Sequence, residues 1–270
     1  MPELPEVETI RTQLEPKIID RTVISADSHE SLKFLAARQI VGRHFLGLRR
    51  RGKYLIAELD GSTEMVVHLG MTGQLSVVPT ATSDGVSSDN YVRACWHLDD
   101  QKTVLYRDVR RFGKLAVVGN GDYSAIPTLR DMGPEPFDPS FTGDALWGNT
   151  KSRKQRIKTQ LLGQRLVAGV GNIYADEALF RAGINPAVRS ITRKQAHRLL
   201  EQLREVLLEA IHRGGTTLRD YRNLQGEGSN QHYLLCYGRS GQPCLLCGTI
   251  LRSRVIDART TTWCPDCQRR

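Results

Sequence analysis

The sequence predicts an α+β protein: a helix and then a β-sandwich or barrel in the first half, and a helical second half that ends in a zinc-binding β-hairpin. Three observations predict this order. Apolar runs separated by turn residues occupy residues 53–118. Apolar residues at spacings of three and four dominate beyond residue 150. Two Cys-x2-Cys pairs lie close to the end of the chain.

The first predicted element is a helix that follows the opening MPELPEVE. Val7, Ile10 and Leu14 recur at helical spacing, and Pro16 is expected to end the helix. Proline is tolerated at a helix start, so Pro2 has an ordinary structural interpretation. If Met1 is removed, however, Pro2 carries a free secondary amine beside the carboxylate of Glu3. These residues alone leave both interpretations open.

The β region is predicted from two pairs of apolar runs. Turn residues Asp60-Gly61 and Asp99-Asp100 lie within the two pairs and indicate hairpins. Repeated antiparallel hairpins favour a sandwich or barrel. The stretch GPEPFDPSFTGD, residues 133–144, has three prolines and two glycines and is the expected domain boundary. The predicted divisions are 1–132, a linker over 133–150, then 151–238 and 239–270.

The second half is predicted to be helical. The segment 192–215 has one apolar face, a possible cap at Thr192 and a stop at Gly214. Residues 157–183 are typical of two short helices joined by a glycine-bearing turn. The GVGN in this turn lacks the third glycine of a dinucleotide fingerprint and no βαβ unit surrounds it, which excludes a nucleotide cofactor.

Charge is unevenly distributed along the chain, whose formal net charge is +9. Residues 1–150 hold 17 Lys and Arg against 20 Asp and Glu, a net charge of −3, whereas residues 151–270 hold 21 against 9, a net charge of +12. Such a basic half favours a nucleic-acid binder over a merely soluble basic surface. The sequence contains no apolar run of membrane-spanning length and no secretory signal, so we expect a cytoplasmic protein without membrane contact.

The cysteines divide into two groups. Cys95 and Cys236 lie in apolar runs and are predicted to be inert core thiols. The other four form two Cys-x2-Cys pairs separated by sixteen residues, the spacing of a zinc ribbon: Cys244, Cys247, Cys264 and Cys267. Disulfides are the alternative, although a reducing compartment disfavours them. Four protein ligands would make the Zn²⁺ structural.

Long motifs in one order run nearly from end to end of the chain. They are MPELPEVET, GKYL, HLGMTGQL, YRDVRRFG, LGQRLVAGVGNIYADEALFRAGI, GGTTLRDY, YGR and the terminal cysteine pairs. By these motifs the sequence closely resembles the formamidopyrimidine-DNA glycosylase family, bacterial enzymes that remove oxidised purines from DNA. Leu4 stands where the related endonuclease VIII typically has glycine, which favours the purine-specific branch.

The resemblance implies an N-terminal two-sheet β domain, a helix–two-turn–helix domain and a zinc ribbon, with damaged double-stranded DNA held between the halves. It implies base excision of 8-oxoguanine and formamidopyrimidines, followed by strand cleavage through β,δ-elimination. One structural Zn²⁺ and a monomer are expected.

The resemblance also assigns catalytic residues, and amine chemistry supports the first of them. An α-amino group titrates near 7.7–8.0, far below the ~10.4 of lysine, so the Pro2 nitrogen would be a useful nucleophile at neutral pH. Its imine with a sugar carries a fixed positive charge that promotes elimination. The resemblance makes Glu3 the proton donor to the sugar and places Lys53 and the phosphate-gripping Arg259 in the catalytic group. The alternative for Lys53 is a solvated surface lysine.

DNA contacts carry over at matching positions. Met71, Arg110 and Phe112 match side chains that fill the gap left by an extruded nucleotide, although Met71 and Phe112 on their own are more typical of a core. Asn172 matches a phosphate contact and is also a plausible N-cap. The full set of expected DNA contacts is His68, Met71, Arg110, Phe112, Arg153, Lys158, Asn172 and Tyr237.

Two other functions compete with this interpretation. A non-catalytic DNA-binding protein on the same scaffold should have lost Pro2, Glu3 or Lys53, and all three are present. An N-terminal-proline tautomerase fits the cysteine pairs and the basic half poorly. Asn230 stands where many family members have an aromatic residue in the lesion-sensing loop, so the sequence leaves the base preference open.

Overall fold

The computed structural model describes residues 2–82, 89–151, 154–218 and 221–269. Helices and antiparallel sheets share the chain, which confirms the α+β prediction. By their contacts the residues divide into two units. The first unit comprises Met1–Arg130 and Arg213–Ser229, and the second comprises Asp131–His212 and Asn230–Arg270.

The first unit contains helix α1, Leu4–Ile18, the short helix α2, Pro127–Arg130, and two four-stranded antiparallel sheets. One sheet has the order β1-β6-β7-β5 and the other the order β2-β3-β4-β8. The strands are β1 Val23–Ser28, β2 Phe45–Arg51, β3 Tyr54–Leu59, β4 Thr63–His68, β5 Gly73–Pro79, β6 Val92–Leu98, β7 Lys102–Asp108 and β8 Lys114–Gly119.

Helix α1 and both sheets share one apolar core. Val7, Ile10 and Leu14 are buried in it, as their spacing predicts. The expected stop at Pro16 is wrong, because α1 continues to Ile18 with the proline inside its last turn. A proline there removes a single helical hydrogen bond close to the helix end, and the burial of Ile18 in the core favours the extra turn.

The two longest apolar runs cross from one sheet to the other. Residues 64–78 supply β4 of one sheet and β5 of the other, and residues 102–118 supply β7 and β8 in the same way. The chain therefore crosses between the sheets at residues 69–72 and again at residues 109–113. Strand pairing places the crossings side by side, because β4 pairs with β8 and β5 pairs with β7.

The second unit contains four α-helices in its described part, a short 3-10 helix at Asn230–Tyr233 and one hairpin. The helices are α3 Gly143–Lys151, α4 Ile157–Leu162, α5 Asn172–Arg181 and α6 Arg193–His212, and the hairpin joins β9 Arg252–Ile256 to β10 Arg259–Trp263. Thr192 caps α6 as predicted, since its Oγ1 accepts a hydrogen bond from the Gln195 amide at 3.2 Å and Gln195 Oε1 accepts one from the Thr192 amide at 2.9 Å.

The units differ from the predicted divisions in two places. The expected linker over 133–150 contains α3, whose Asp144 accepts hydrogen bonds from Arg193 and His197 of α6. Residues 213–229, expected in the helical domain, belong to the first unit. The proline-rich stretch at residues 133–144 lies close to the change of unit after Arg130, and no feature of the sequence indicated that the chain returns to the first unit after α6.

Among the described residues, no helix is both long enough and apolar enough to cross a bilayer.

Candidate functional site

The N-terminal Pro2-Glu3 pair is buried where α1 begins. The Glu3 amide donates a hydrogen bond to Glu6 Oε2 at 2.8 Å, and the Thr216 amide donates one to Glu6 Oε1, also at 2.8 Å. The Glu6 carboxylate thus links the start of α1 to the segment 213–229. From the sequence alone, Glu6 is simply an acidic residue at the positive end of the helix dipole. Its position three residues after the helix cap was the signal for the first contact, and nothing in the sequence indicated the second.

The Gly214-Gly215 pair explains how the segment 213–229 approaches Glu6. Gly215 has a φ of +85°, and a Cβ there would lie 3.1 Å from Glu6 Oε1 and 3.0 Å from Tyr221 Cε1. The Tyr221 hydroxyl donates to the carbonyl of Gly214 at 3.2 Å, and its ring belongs to the sandwich core. The glycines therefore let the backbone reach the α1 terminus, and Tyr221 anchors it there.

Lys53 and His68 lie at adjacent strand ends. Lys53 precedes β3 and is only 7% exposed, so its interpretation as a solvated surface lysine is wrong. His68 ends β4, directly opposite Tyr54 of β3, and the two rings lie 4.7 Å apart. Burial, together with the positive charges of Lys53 and Lys114, lowers the pKa of His68 to about 4.

His68 is consequently neutral near pH 7, and its tautomer follows from its neighbour. The Gly70 amide donates to His68 Nδ1 at 3.2 Å, so the ring proton resides on Nε2. This corner of the first unit therefore combines a buried ammonium group with a neutral imidazole donor. Such a pair suits a phosphate oxygen.

Met71, Arg110 and Phe112 lie on the two neighbouring crossings between the sheets. Met71 is 36% exposed and Phe112 is 47% exposed, so the alternative that they are core residues is wrong. The Arg110 guanidinium stacks over the Phe112 ring at 4.7 Å from its centroid. The structure thus brings two exposed apolar side chains and one cation together, a set that can unstack a base pair and read a base edge.

The four cysteines of the C-terminal pairs meet at one point. Their Sγ atoms all lie within 4.8 Å of one another, with Cys244 and Cys267 at 3.9 Å and Cys247 and Cys264 at 3.5 Å. These separations exclude disulfides, whose sulfurs bond at about 2.05 Å. A tetrahedral Zn²⁺ with Zn–S bonds of ~2.3 Å needs sulfurs about 3.8 Å apart. The cluster therefore suits one zinc ion, and its four thiolates complete the coordination.

The two remaining cysteines are buried, as their apolar surroundings predict. Cys95 lies inside β6, and Cys236 donates to the carbonyl of Thr262 at 3.1 Å. Burial raises the pKa of the Cys236 thiol, which suits an inert packing role.

Asn172 and Arg259 converge on the start of β10. Asn172 Nδ2 donates to the carbonyl of Thr260 at 3.2 Å, while its buried Oδ1 accepts no hydrogen bond from the described residues. Asn172 is the first residue of α5 and Gly171 is the cap, so the N-cap alternative for Asn172 is wrong. Arg259 begins β10 with an exposed side chain. Its Nη1 donates to the Ala258 carbonyl at 3.3 Å. Asn172 therefore joins the start of α5 to the strand residue next to Arg259, and an anion is favoured at such a helix N-terminus.

Glu177 was missed by sequence reasoning and organises the segment around Tyr237. Its buried carboxylate accepts hydrogen bonds from the amides of Leu235, Cys236 and Tyr237 at 2.7–2.9 Å. The Tyr237 side chain is itself half-buried. Two adjacent acidic residues inside a largely apolar helix, Asp176 and Glu177, were the available signal, because a buried carboxylate must be paired.

Lys158 is buried inside the second unit, whereas a contact with a DNA phosphate requires an exposed side chain. Lys158 and Asp176 are both 0% exposed, with Nζ 2.6 Å from Asp176 Oδ1. Nζ also donates to Thr261 Oγ1 at 2.8 Å, and Asp176 Oδ2 accepts from the Thr262 amide at 3.0 Å. The pKa of Asp176 is raised to about 6, because the effect of burial exceeds the opposing effect of the Lys158 charge. The pair thus fixes β10 on α4 and α5, and the expected contact of Lys158 with DNA is corrected to this role.

The other basic residue expected ahead of α4, Arg153, lies outside the described residues.

Removing one partner of the Lys158–Asp176 pair should destabilise the protein strongly. Lys158→Met leaves a buried carboxylate without its cation, at an expected cost of about 3–5 kcal/mol in the free energy of unfolding. Adding Asp176→Leu should recover most of that loss, because the pair is then replaced by apolar groups. Chemical denaturation of the zinc-loaded protein measures both changes.

A surface pair in the same unit provides the control for this experiment. Arg156 and Asp257 lie 3.5 Å apart with both side chains more than 40% exposed, so Arg156→Met should change stability by less than about 1 kcal/mol. Equal effects of Lys158→Met and Arg156→Met would show that burial of the first pair has no energetic consequence.

Comparison with known proteins gives matches along almost the whole chain. Residues 1–115 match the model of the formamidopyrimidine-DNA glycosylase N-terminal domain, residues 132–222 that of the formamidopyrimidine-DNA glycosylase H2TH domain, and residues 241–270 that of a zinc finger found in FPG and IleRS. A formamidopyrimidine-DNA glycosylase of Thermus thermophilus is 43% identical over 273 residues, covering 99% of this chain and 98% of the relative.

Solved structures agree with these matches. The crystal structure of the MutM (Fpg) protein of Thermus thermophilus has a TM-score of 0.90 at 42% identity, with 99% of this chain and 98% of that chain covered. A complex between Lactococcus lactis Fpg and DNA containing an abasic site has a TM-score of 0.90 at 31% identity, with 99% and 100% covered. With three matched domains and full-length relatives, the chain belongs to the formamidopyrimidine-DNA glycosylase family.

Proposed function

We propose that this protein is a bifunctional DNA glycosylase and AP lyase of base excision repair, acting on oxidised purines in duplex DNA. The observation that carries the proposal is the buried Pro2-Glu3 start, which the Glu6 carboxylate ties to the segment 213–229. Relatives in this family include an Fpg solved with DNA that contains Fapy-dG, which supports formamidopyrimidines among the substrates. We infer 8-oxoguanine as a second substrate, with the enzyme acting in the cytoplasm as a monomer.

The proposed chemistry begins with the Pro2 amine freed by removal of Met1. Its nitrogen lone pair attacks the sugar C1′, the bond from C1′ to the base nitrogen breaks, and the base leaves with a proton. Glu3 protonates the ring oxygen so that the sugar opens, and the nitrogen and C1′ are then joined as an iminium. Being a secondary amine, proline gives an iminium with no N–H proton to lose, so the positive charge persists.

Strand cleavage follows from that charge. The iminium acidifies the C2′ hydrogens. Loss of one C2′ proton leaves an electron pair that expels the 3′ phosphate in β-elimination. Loss of a further proton from the sugar remnant then expels the 5′ phosphate in δ-elimination. Water then releases the sugar remnant from Pro2. Lys53 and the Nε2–H of His68 are proposed to hold a phosphate beside the damaged nucleotide, since neither a buried ammonium nor a neutral donor repels that anion.

The remaining site residues are proposed to hold the duplex. Met71, Arg110 and Phe112 fill the space of the extruded nucleotide, with the arginine facing the orphaned base. Asn172, Tyr237 and Arg259 bind phosphates, and the Lys158–Asp176 pair keeps the β10 backbone beside Asn172. Phosphate contacts of this kind set affinity and orientation, while the base contacts recognise the lesion.

Borohydride trapping tests this function directly. Duplexes that carry 8-oxoguanine, a formamidopyrimidine or an oxidised pyrimidine are incubated with the protein and borohydride, and the reduced adduct is mapped by mass spectrometry. We expect adducts with both purine lesions, formed on Pro2, and weaker trapping with the pyrimidine. Base release without any adduct would indicate a glycosylase that uses water, and no release from any duplex would overturn the proposal.

A further inference from the structure

The two crossings between the sheets, residues 69–72 and 109–113, pack directly against each other. Gly73 of β5 pairs with Asp108 of β7, and His68 of β4 pairs with Lys114 of β8, so both crossings start and end at neighbouring positions. Gly70 has a φ of +64°, and a Cβ there would lie 2.5 Å from the backbone of Phe112 and Gly113. The two crossings therefore touch along their main chains, which only glycine at position 70 permits.

Two side chains fasten this contact, and the function proposed above uses neither. The Thr72 hydroxyl donates to Asp108 Oδ1 at 2.5 Å and accepts from the Arg110 amide at 3.0 Å. The Gly113 amide donates to Asp108 Oδ2 at 2.8 Å. Thr72 and Asp108 are both buried, at 4% and 0% exposure. One hydroxyl and one carboxylate thus connect the Met71 crossing to both ends of the crossing that carries Arg110 and Phe112.

Further contacts hold the ends of the two crossings in place. Arg93 Nε donates to the Asp108 carbonyl at 2.8 Å, and the Tyr106 hydroxyl donates to the His68 carbonyl at 3.3 Å. On the outer side, Lys33 Nζ donates to the Arg111 carbonyl at 2.8 Å. The crossings are therefore anchored to the sheets from several directions, while the side chains of Met71, Arg110 and Phe112 remain exposed.

We propose that Thr72 and Asp108 are positioning residues that hold Met71, Arg110 and Phe112 as a single rigid wedge for insertion into the duplex. This inference rests on the proposed function. Unstacking a base step costs free energy, and a wedge ordered before binding loses less conformational entropy on insertion. A hydroxyl is needed at position 72 because it must donate to the carboxylate and accept from an amide at once, which an apolar side chain cannot do.

The inference predicts a difference between two substrates. Excision from a duplex needs the wedge, because the opposite base must be supported when the lesion leaves the stack. Cleavage of an abasic site in a single-stranded oligonucleotide has no opposite base and no stack to open. Thr72→Val, which keeps the shape and loses the hydroxyl, should slow single-turnover base release from a duplex roughly 10- to 100-fold, since two hydrogen bonds are lost. Cleavage of the single strand should stay within about twofold.

Two further variants separate positioning from general damage to the fold. Thr72→Ser retains the hydroxyl and should retain duplex excision. Thr80→Val is the matched control, because Thr80 lies just beyond the other end of β5 and its hydroxyl bonds only to Thr103 within the same sheet among the contacts described. It should leave both substrates unaffected. If Thr72→Val lowered both activities equally, or Thr80→Val reproduced its effect, the inference would be wrong.

A double-mutant cycle with Arg110 tests whether Thr72 acts on base release by positioning the wedge. If Thr72 acts by placing the wedge, Thr72→Val in an Arg110→Ala background should lose much less activity than in the wild-type background. Fully additive losses would overturn the inference. Failure of the proposed function would look different, because the wild-type protein itself would then release no base.

Discussion

Adding a bulky N-terminal extension that keeps the Pro2 nitrogen in a peptide bond should abolish base release and borohydride trapping together, with a loss of at least about 1000-fold. An amide nitrogen has its lone pair delocalised into the carbonyl and cannot attack a sugar carbon. Single-turnover excision and trapping measure the two losses. The same extension at the C-terminus is the matched control and should leave both unaffected.

Two substitutions identify the attacking nitrogen. Pro2→Gly supplies a primary amine at the same place, so it should form some adduct but eliminate poorly, because its imine can lose its charge by releasing a proton. Lys53→Ala should reduce turnover, yet the trapped adduct should still map to Pro2. Normal cleavage by the N-terminally extended protein, or an adduct on Lys53, would make the proline a helix start only.

The extended protein must also be shown to be folded and able to bind DNA. Glu6 accepts from the Glu3 amide, so an extension could disturb the helix start as well as block the amine. Retained zinc, an unchanged unfolding transition and retained binding to a duplex would limit the defect to chemistry. Loss of duplex binding would instead indicate that the extension blocks the approach of DNA.

The sequence predicted the elements whose signals are local. The periodicity of α1, the Asp60-Gly61 hairpin, the cap at Thr192 and the spacing of the cysteines each depend on a few neighbouring residues, and all are confirmed. The sheet to which each strand belongs could not be predicted from neighbouring residues. The run at residues 64–78 is continuous in hydrophobicity, yet its two strands lie in different sheets, because the backbone turns at Gly70 against a segment forty residues later.

Burial of charge was the least predictable feature of the site. Lysine is almost always exposed, so a sequence pattern assigns Lys158 to the surface. Its burial depends on Asp176, one turn into another helix, and on backbone groups of β10. Lys53 is likewise more buried than a sequence pattern indicates: it is 7% exposed, whereas most lysine side chains are solvated. The family resemblance singled out both positions, but only the structure distinguishes a buried pair from a possible phosphate contact.

Removing the zinc should abolish duplex binding, and Cys247→Ser is the variant that tests this. Around the cysteines the second unit has a small apolar core, formed by Phe180, Cys236, Cys244, Leu251 and Cys264 with a few half-buried neighbours. Two strands of five residues and so few core residues cannot offset the entropy of ordering the hairpin, so metal coordination must supply the difference. Without the ion, we expect the hairpin that carries Arg259 to lose its structure.

The expected loss exceeds that of any single phosphate contact. Arg259→Ala removes one cation from a folded hairpin, so it should weaken binding to all sequences alike and lower the slope of log affinity against log salt by about one. Cys247→Ser should release the metal and lower affinity by at least about 100-fold, because the whole hairpin is lost. Cys247 is the exposed member of the cluster, so serine there disturbs packing least.

Cys95→Ala is the matched control, since it removes a buried thiol from β6 in the first unit and should leave both zinc content and duplex affinity unchanged. Zinc content and duplex binding are measured on the same preparations, so that each affinity is assigned to a known metal state. With four thiolates the ion has no open position for substrate, and its contribution is therefore to the fold of the hairpin. A metal-free Cys247→Ser protein that bound duplex DNA with undiminished affinity would show that the hairpin folds, or that DNA binds, without the ion.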